Sequence, residues 1–80
     1  MKIVADFFNK VAIDLDNHFF PNVKYYRDNN DCADVHYTIE LFNNGCLTYS
    51  DFINRLVKSC KSNSNNIKNI VDKYIIFDIN

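Results

Sequence analysis

Cys32 and His36, four positions apart, are the pair in this chain best suited to nucleophilic chemistry, because an imidazole within reach of a thiol can take its proton. A working nucleophile also needs a third group to orient the base and donors to receive an oxyanion, and the sequence nominates neither. A zinc site from Cys32, His36 and His18 is one ligand short unless Asp34 joins it, and no Cys-x-x-Cys arm is present. The run Asp28-x-Asn30-x-Cys32-x-Asp34 spaces side chains like the start of a calcium loop. It places Ala33 where the sharp turn requires glycine and Ile39 where a bidentate carboxylate belongs. Gly45 is the only glycine, so a loop that cradles phosphate through closely approaching backbone is excluded. The chain therefore reads as a non-enzymatic protein with no cofactor and no metal.

With catalysis poorly supplied, charge and apolar surface carry the functional reading. The acids Asp28, Asp31, Asp34 and Glu40 have only Arg27 as a basic neighbour in sequence. Residues 55 to 73 hold Arg55, Lys58, Lys61, Lys68 and Lys73 against Asp72 alone. Such separation suits either two solvated faces or one pole that meets a partner of opposite sign. Ile13 interrupts the polar face of the first predicted helix, and with Phe20, Tyr26 and Phe42 it is expected to point away from the core. Aromatic and aliphatic side chains beside acids suit a contact surface. The expected partner-binding set is Ile13, Tyr26, Asp28, Asp31, Asp34 and Glu40. The alternative set, for nucleic acid, is Arg55, Lys58, Lys61 and Lys68, on a helix and turn that only weakly resemble a helix-turn-helix.

The elements that must position these residues follow from periodicity. Ile3, Val4, Phe7, Phe8, Val11, Ala12, Leu15 and Phe19 recur at helical spacing, which predicts a helix over 2–19 ended by Pro21. His18 projects onto the apolar face of this helix and is expected to be a core or boundary residue bonded to a backbone carbonyl near the helix end. Residues 22–27 predict a short strand, and the Asp28–Asp34 loop leads to a second strand over 34–42, where Val35, Tyr37, Ile39 and Leu41 alternate with His36, Thr38 and Glu40. This phase turns His36 outward and leaves Cys32 in an exposed loop as the thiol expected to react first. Asn43-Asn44-Gly45 marks a turn. Thr48 with Asp51 has the form of a capping box, flanked by a Leu47–Phe52 staple, and opens an amphipathic helix carrying Phe52, Ile53, Leu56 and Cys60. After the polar run 61–66 a short helix to about Asp72 is expected, then a closing strand with Ile75, Phe77 and Ile79. The expected fold is a single α+β domain over residues 1–80, in the order α-β-β-α-α-β, with a three-stranded, largely antiparallel sheet and helices on one face.

Eighty residues leave room for one core only. A formal charge of -1 gives no bulk attraction to nucleic acid or anionic membrane, so free nucleic acid and membranes are not the expected partners. Cys32, Cys46 and Cys60 form an odd set without paired spacing, as expected of reduced thiols in a bacterial host's cytoplasm. The richness in Asn, Lys, Ile, Tyr and Phe fits AT-rich coding DNA. In small size, reduced cysteines and an acidic, aromatic surface, the chain resembles in general character the small inhibitors of phages and mobile elements, of the anti-CRISPR type. That resemblance implies binding to a protein or nucleoprotein complex with a basic surface, through carboxylates such as Asp28, Asp31 and Asp34 set where phosphates are expected. A DNA-binding regulator, a structural or accessory subunit, and self-association into a homodimer are the other expectations.

Overall fold

The computed structural model describes residues 1–77. Strand β1 (Lys2–Ile3) leads into helix α1 (Phe7–Phe19), followed by a 3-10 turn at Tyr26–Asp28 and helix α2 (Asn30–Asn43). Helix α3 (Tyr49–Cys60), helix α4 (Ser64–Val71), a 3-10 turn at Asp72–Tyr74 and strand β2 (Ile75–Ile76) complete the order. β1 and β2 pair antiparallel, Lys2 opposite Ile76 and Ile3 opposite Ile75. α2 lies between α1 and α3, and α4 packs on α3 and α1.

The fold is mostly helical, which corrects the expected three-stranded sheet with helices on one face. Residues 34–42 form most of α2 instead of a strand, and 22–27 form loop and the start of a 3-10 turn. The 34–42 segment satisfies two periods at once. Val35, Ile39 and Phe42 are spaced as a helix face, and Cys32 and Thr38 join them in the core, while Tyr37 of the supposed inner strand face is exposed. The start of α2 carries a clear helix signal, since the Asn29 side chain accepts from Cys32 N–H at 3.0 Å and caps the first turn. The β-branched residues Val35, Thr38 and Ile39 favour strands only weakly, and tertiary burial outweighs that preference.

α1 starts later than its apolar pattern suggests. Asp6 sits in the left-handed region at φ 59°, and Ile3 is drawn into the pairing with β2. Two helix ends close by the Schellman arrangement. At the end of α2, Cys46 N–H reaches Leu41 O at 2.8 Å and Gly45 N–H reaches Phe42 O at 3.0 Å, with Gly45 at φ 78°. At the end of α3, Ser62 N–H reaches Val57 O at 3.2 Å, and Lys61 takes the left-handed position at φ 53°. The expected cap at Thr48 is present, its Oγ1 accepting from Asp51 N–H at 3.1 Å. A short helix followed by a strand also ends the described chain; Ile79 of the expected closing strand lies outside the described residues.

The core gathers Phe7, Val11 and Leu15 of α1, Val35, Ile39 and Phe42 of α2, Phe52 and Leu56 of α3, and Ile67 and Val71 of α4. Phe42 stacks on Phe52 with centroids 4.1 Å apart, and Phe7 tilts against Phe42 at 5.7 Å. These rings lock α1, α2 and α3 together, and that fixes the α1–α2 seam where the candidate site lies.

Candidate functional site

On the seam, α2 presents Cys32 and His36 one turn apart, and α1 presents Asp16 between them. The His36 imidazole meets Asp16 Oδ2 through Nε2 at 2.7 Å, and the Cys32 thiol donates to Asp16 Oδ1 at 3.4 Å. An ionised carboxylate only accepts, which assigns the bonding hydrogen to Nε2. Tyr26 lies flat on the imidazole, ring centroids 4.2 Å apart and planes 3° from parallel, while Phe8 of α1 meets it edge-on at 6.1 Å. Cys32 is 1% exposed, whereas the side chains of His36 and Asp16 retain 14% and 29% of their exposure.

This geometry overturns three expectations. His36 does not face outward, Cys32 is not in an exposed loop, and His18 is an exposed residue at the end of α1, packed edge-to-face on Phe19 at 4.6 Å. The third group missing from a Cys–His pair is Asp16, yet the arrangement is not that of an activated nucleophile. Asp16 stands as acceptor to both partners, so the thiol proton points to the carboxylate and the imidazole presents a donor instead of a lone pair at Nε2. Burial, reinforced by the Asp16 hydrogen bond and charge, pushes the Cys32 thiol up to about 12. Burial likewise pushes Cys60, at the end of α3, up to about 12, with the charges of Asp16, Cys32 and Asp31 adding to it.

The supposed poles of charge meet across the α2–α3 interface. Asp31 pairs with Lys61 at 3.4 Å, and Asp34 lies 3.6 Å from Arg55 while accepting a short hydrogen bond from the buried Ser59 hydroxyl. Asp28, at the end of the 3-10 turn, and Glu40, on α2, are exposed. Ile13 is 61% exposed on α1, one turn before Asp16. Tyr26 is 41% exposed with the Arg27 guanidinium over its ring, and Tyr37 is 54% exposed with Arg55 over its ring. The structure thus brings Tyr26 and Asp28 together on one turn and Asp31, Asp34 and Glu40 onto the following helix, with Ile13 on the neighbouring one. Of the alternative set, Arg55 and Lys61 are engaged by acids, Lys58 is exposed on α3, and Lys68 lines a groove of about 270 Å³ with Tyr49, Ile53, Asn54 and Ser64.

Sequence reasoning missed Asp16 as a site residue because it sits on the polar side of an amphipathic helix, sixteen residues from Cys32 and twenty from His36. The usable signal was the Cys32-x-x-x-His36 spacing, which places both side chains on one face only if the segment is helical. No protein-family model, curated protein or solved structure matches this chain.

Proposed function

We propose that the protein acts by binding another macromolecule, as a small inhibitor of the phage type, through the outer side of α2 and the Tyr26–Asp28 turn. The observation that carries this reading is the state of Tyr26: its ring is exposed, yet already fixed by the His36 stack below and the Arg27 guanidinium beside it. Tyr37 repeats the device with Arg55. Exposed aromatics held in place before contact lose little rotamer freedom on association, and Tyr and Arg are the side chains most often found to anchor interfaces. The exposed carboxylates of Asp28 and Glu40 flank these anchors and suit a basic partner surface, the kind met by inhibitors of the anti-CRISPR type. The Cys32 thiol is buried and donates to Asp16, an arrangement that supports a role without catalysis. Among the described residues no helix is long and apolar enough to cross a membrane.

The test is co-purification of the tagged protein from lysate of a bacterial host, in parallel with the Tyr26→Ala/Tyr37→Ala variant. A partner retained by the native chain and lost by the variant is the expected result. Binding of free duplex DNA with a steep salt dependence, abolished by Lys58→Ala with Lys68→Ala and untouched by the tyrosine changes, would replace this reading with the nucleic-acid one. The engagement of Arg55 and Lys61 by acids already weighs against that alternative.

A further inference from the structure

We infer that Asp16, Cys32 and His36 form a binding site for one zinc ion, with three protein ligands and a fourth position open to solvent. The ligand atoms of the three residues all lie within 4.8 Å of one another. Ligands spaced tetrahedrally around zinc at its usual bond lengths stand about 3.5 Å apart, so the Cys32–Asp16 gap of 3.4 Å already has the required width. That gap is to Asp16 Oδ1; a metal held through Oδ1 takes His36 Nε2 in place of its present 2.7 Å contact with Oδ2.

The donor set selects the metal. A thiolate and an imidazole are poor ligands for magnesium or calcium and good ones for zinc, with a carboxylate oxygen as a common third. The scaffold is also suitable. Cys32 and His36 stand one turn apart on a single helix, and Asp16 reaches in from a helix locked to it through the Phe7–Phe42 contact. The flat Tyr26 ring restricts the tilt of the imidazole. On binding, the Cys32 proton is released to solvent and the imidazole hydrogen moves from Nε2 to Nδ1, which frees the Nε2 lone pair for the metal. Residual exposure of Asp16 and His36 provides the entry path and the place for the fourth, water ligand. This site shares the Tyr26–His36 stack with the binding reading above but does not require a partner.

The experiment uses the full chain, stripped of metal by a chelator and titrated with Co2+, whose four-coordinate thiolate complexes absorb in the near ultraviolet and strongly in the visible. One equivalent of Co2+ is expected to raise both bands, and one equivalent of Zn2+ to abolish them. Cys32→Ser should lose the thiolate-to-cobalt band, and His36→Gln should lose the four-coordinate visible spectrum, while Cys46→Ser and Cys60→Ser keep both. Because Cys32 is buried, circular dichroism accompanies its variant; His36→Gln, at a partly exposed position, carries the test if Cys32→Ser unfolds. No thiolate band in the native chain, a band that survives in folded Cys32→Ser, or a band lost with Cys46→Ser would each overturn the proposal.

Discussion

His36 and Asp16, twenty residues apart and on different helices, meet at 2.7 Å, and that contact sets how α1 lies on α2 beyond the reach of the phenylalanine core. Asp16→Ala removes the acceptor from both the imidazole and the Cys32 thiol, leaving two donors poorly solvated. The expected loss is about 1–3 kcal/mol, read as a lower urea midpoint with an unchanged slope. An unaltered midpoint would mean that water replaces Asp16 at no loss.

Thiol reactivity should follow burial. Cys46 is exposed in the connection between α2 and α3, whereas Cys32 and Cys60 are covered and both pushed up to about 12. A thiol reagent applied to the native protein and followed by peptide mass spectrometry is expected to modify Cys46 first, then Cys60, and Cys32 last. Early modification of Cys32 would show that the α1–α2 seam opens readily.

Acid stability has a local source in Asp14. The Tyr74 hydroxyl donates to its Oδ2 at 2.6 Å and the Lys73 ammonium at 2.9 Å, and these bonds hold the carboxyl below its usual 3.8. A carboxyl depressed in the folded state favours folding fully above its unfolded value, and the benefit disappears as pH falls through the folded value. Melting temperature measured downward from neutral pH should therefore drop below about pH 3.8, and Asp14→Asn should flatten part of that decline. The variant should lose stability near neutrality and little at the acid end.

Thr38 offers a gain. Its side chain is fully buried on α2, and its Oγ1 has no hydrogen-bond partner among the described residues. Thr38→Val keeps the shape and removes the unsatisfied hydroxyl, so a stabilisation of up to about 1 kcal/mol is expected in thermal or urea unfolding. A loss would reveal a partner for the hydroxyl in solution.

Of the acids on the expected contact surface, Asp28, Asp31 and Asp34 crowd into one stretch of sequence that suggests all three are dispensable to the fold, yet Asp28 and Asp34 should separate in a stability assay. Asp34 joins α2 to α3 through Ser59 and Arg55, while Asp28 ends an exposed turn. Asp34→Asn should lower the unfolding free energy by about 1 kcal/mol and Asp28→Asn hardly at all. Equal effects would show that the α2–α3 bonds are fully offset by solvation.

How much of this was legible follows from the range of each signal. The Thr48 cap, the Asn44-Gly45 stop and Pro21 after α1 are local features that each mark a real boundary, and the apolar face of α3 is local as well. The segment 34–42 was ambiguous because alternate and helical spacing both fit it, and the deciding residues, Asn29 as cap and Thr38 as a core position, are of types that often occur in loops or at surfaces. The site was hidden for a further reason. Cys32 and His36 converge only on a helix, and Asp16 joins them only once the Phe7, Phe42 and Phe52 rings have set the spacing of α1 from α2.

The pairing of β1 with β2 has a kinetic meaning. Successive helices touch their neighbours in sequence, so α1–α2, α2–α3 and α3–α4 can each assemble across short loops with little entropic delay. Lys2 and Ile76 must instead find each other across nearly the whole described chain, in a ribbon two residues long on each side that the Val4 N–H to Tyr74 O bond, at 3.1 Å, extends. The ribbon is therefore a late-closing clasp on an early-forming helical body, and its burial of Ile75 fastens the two ends of the described chain to the core.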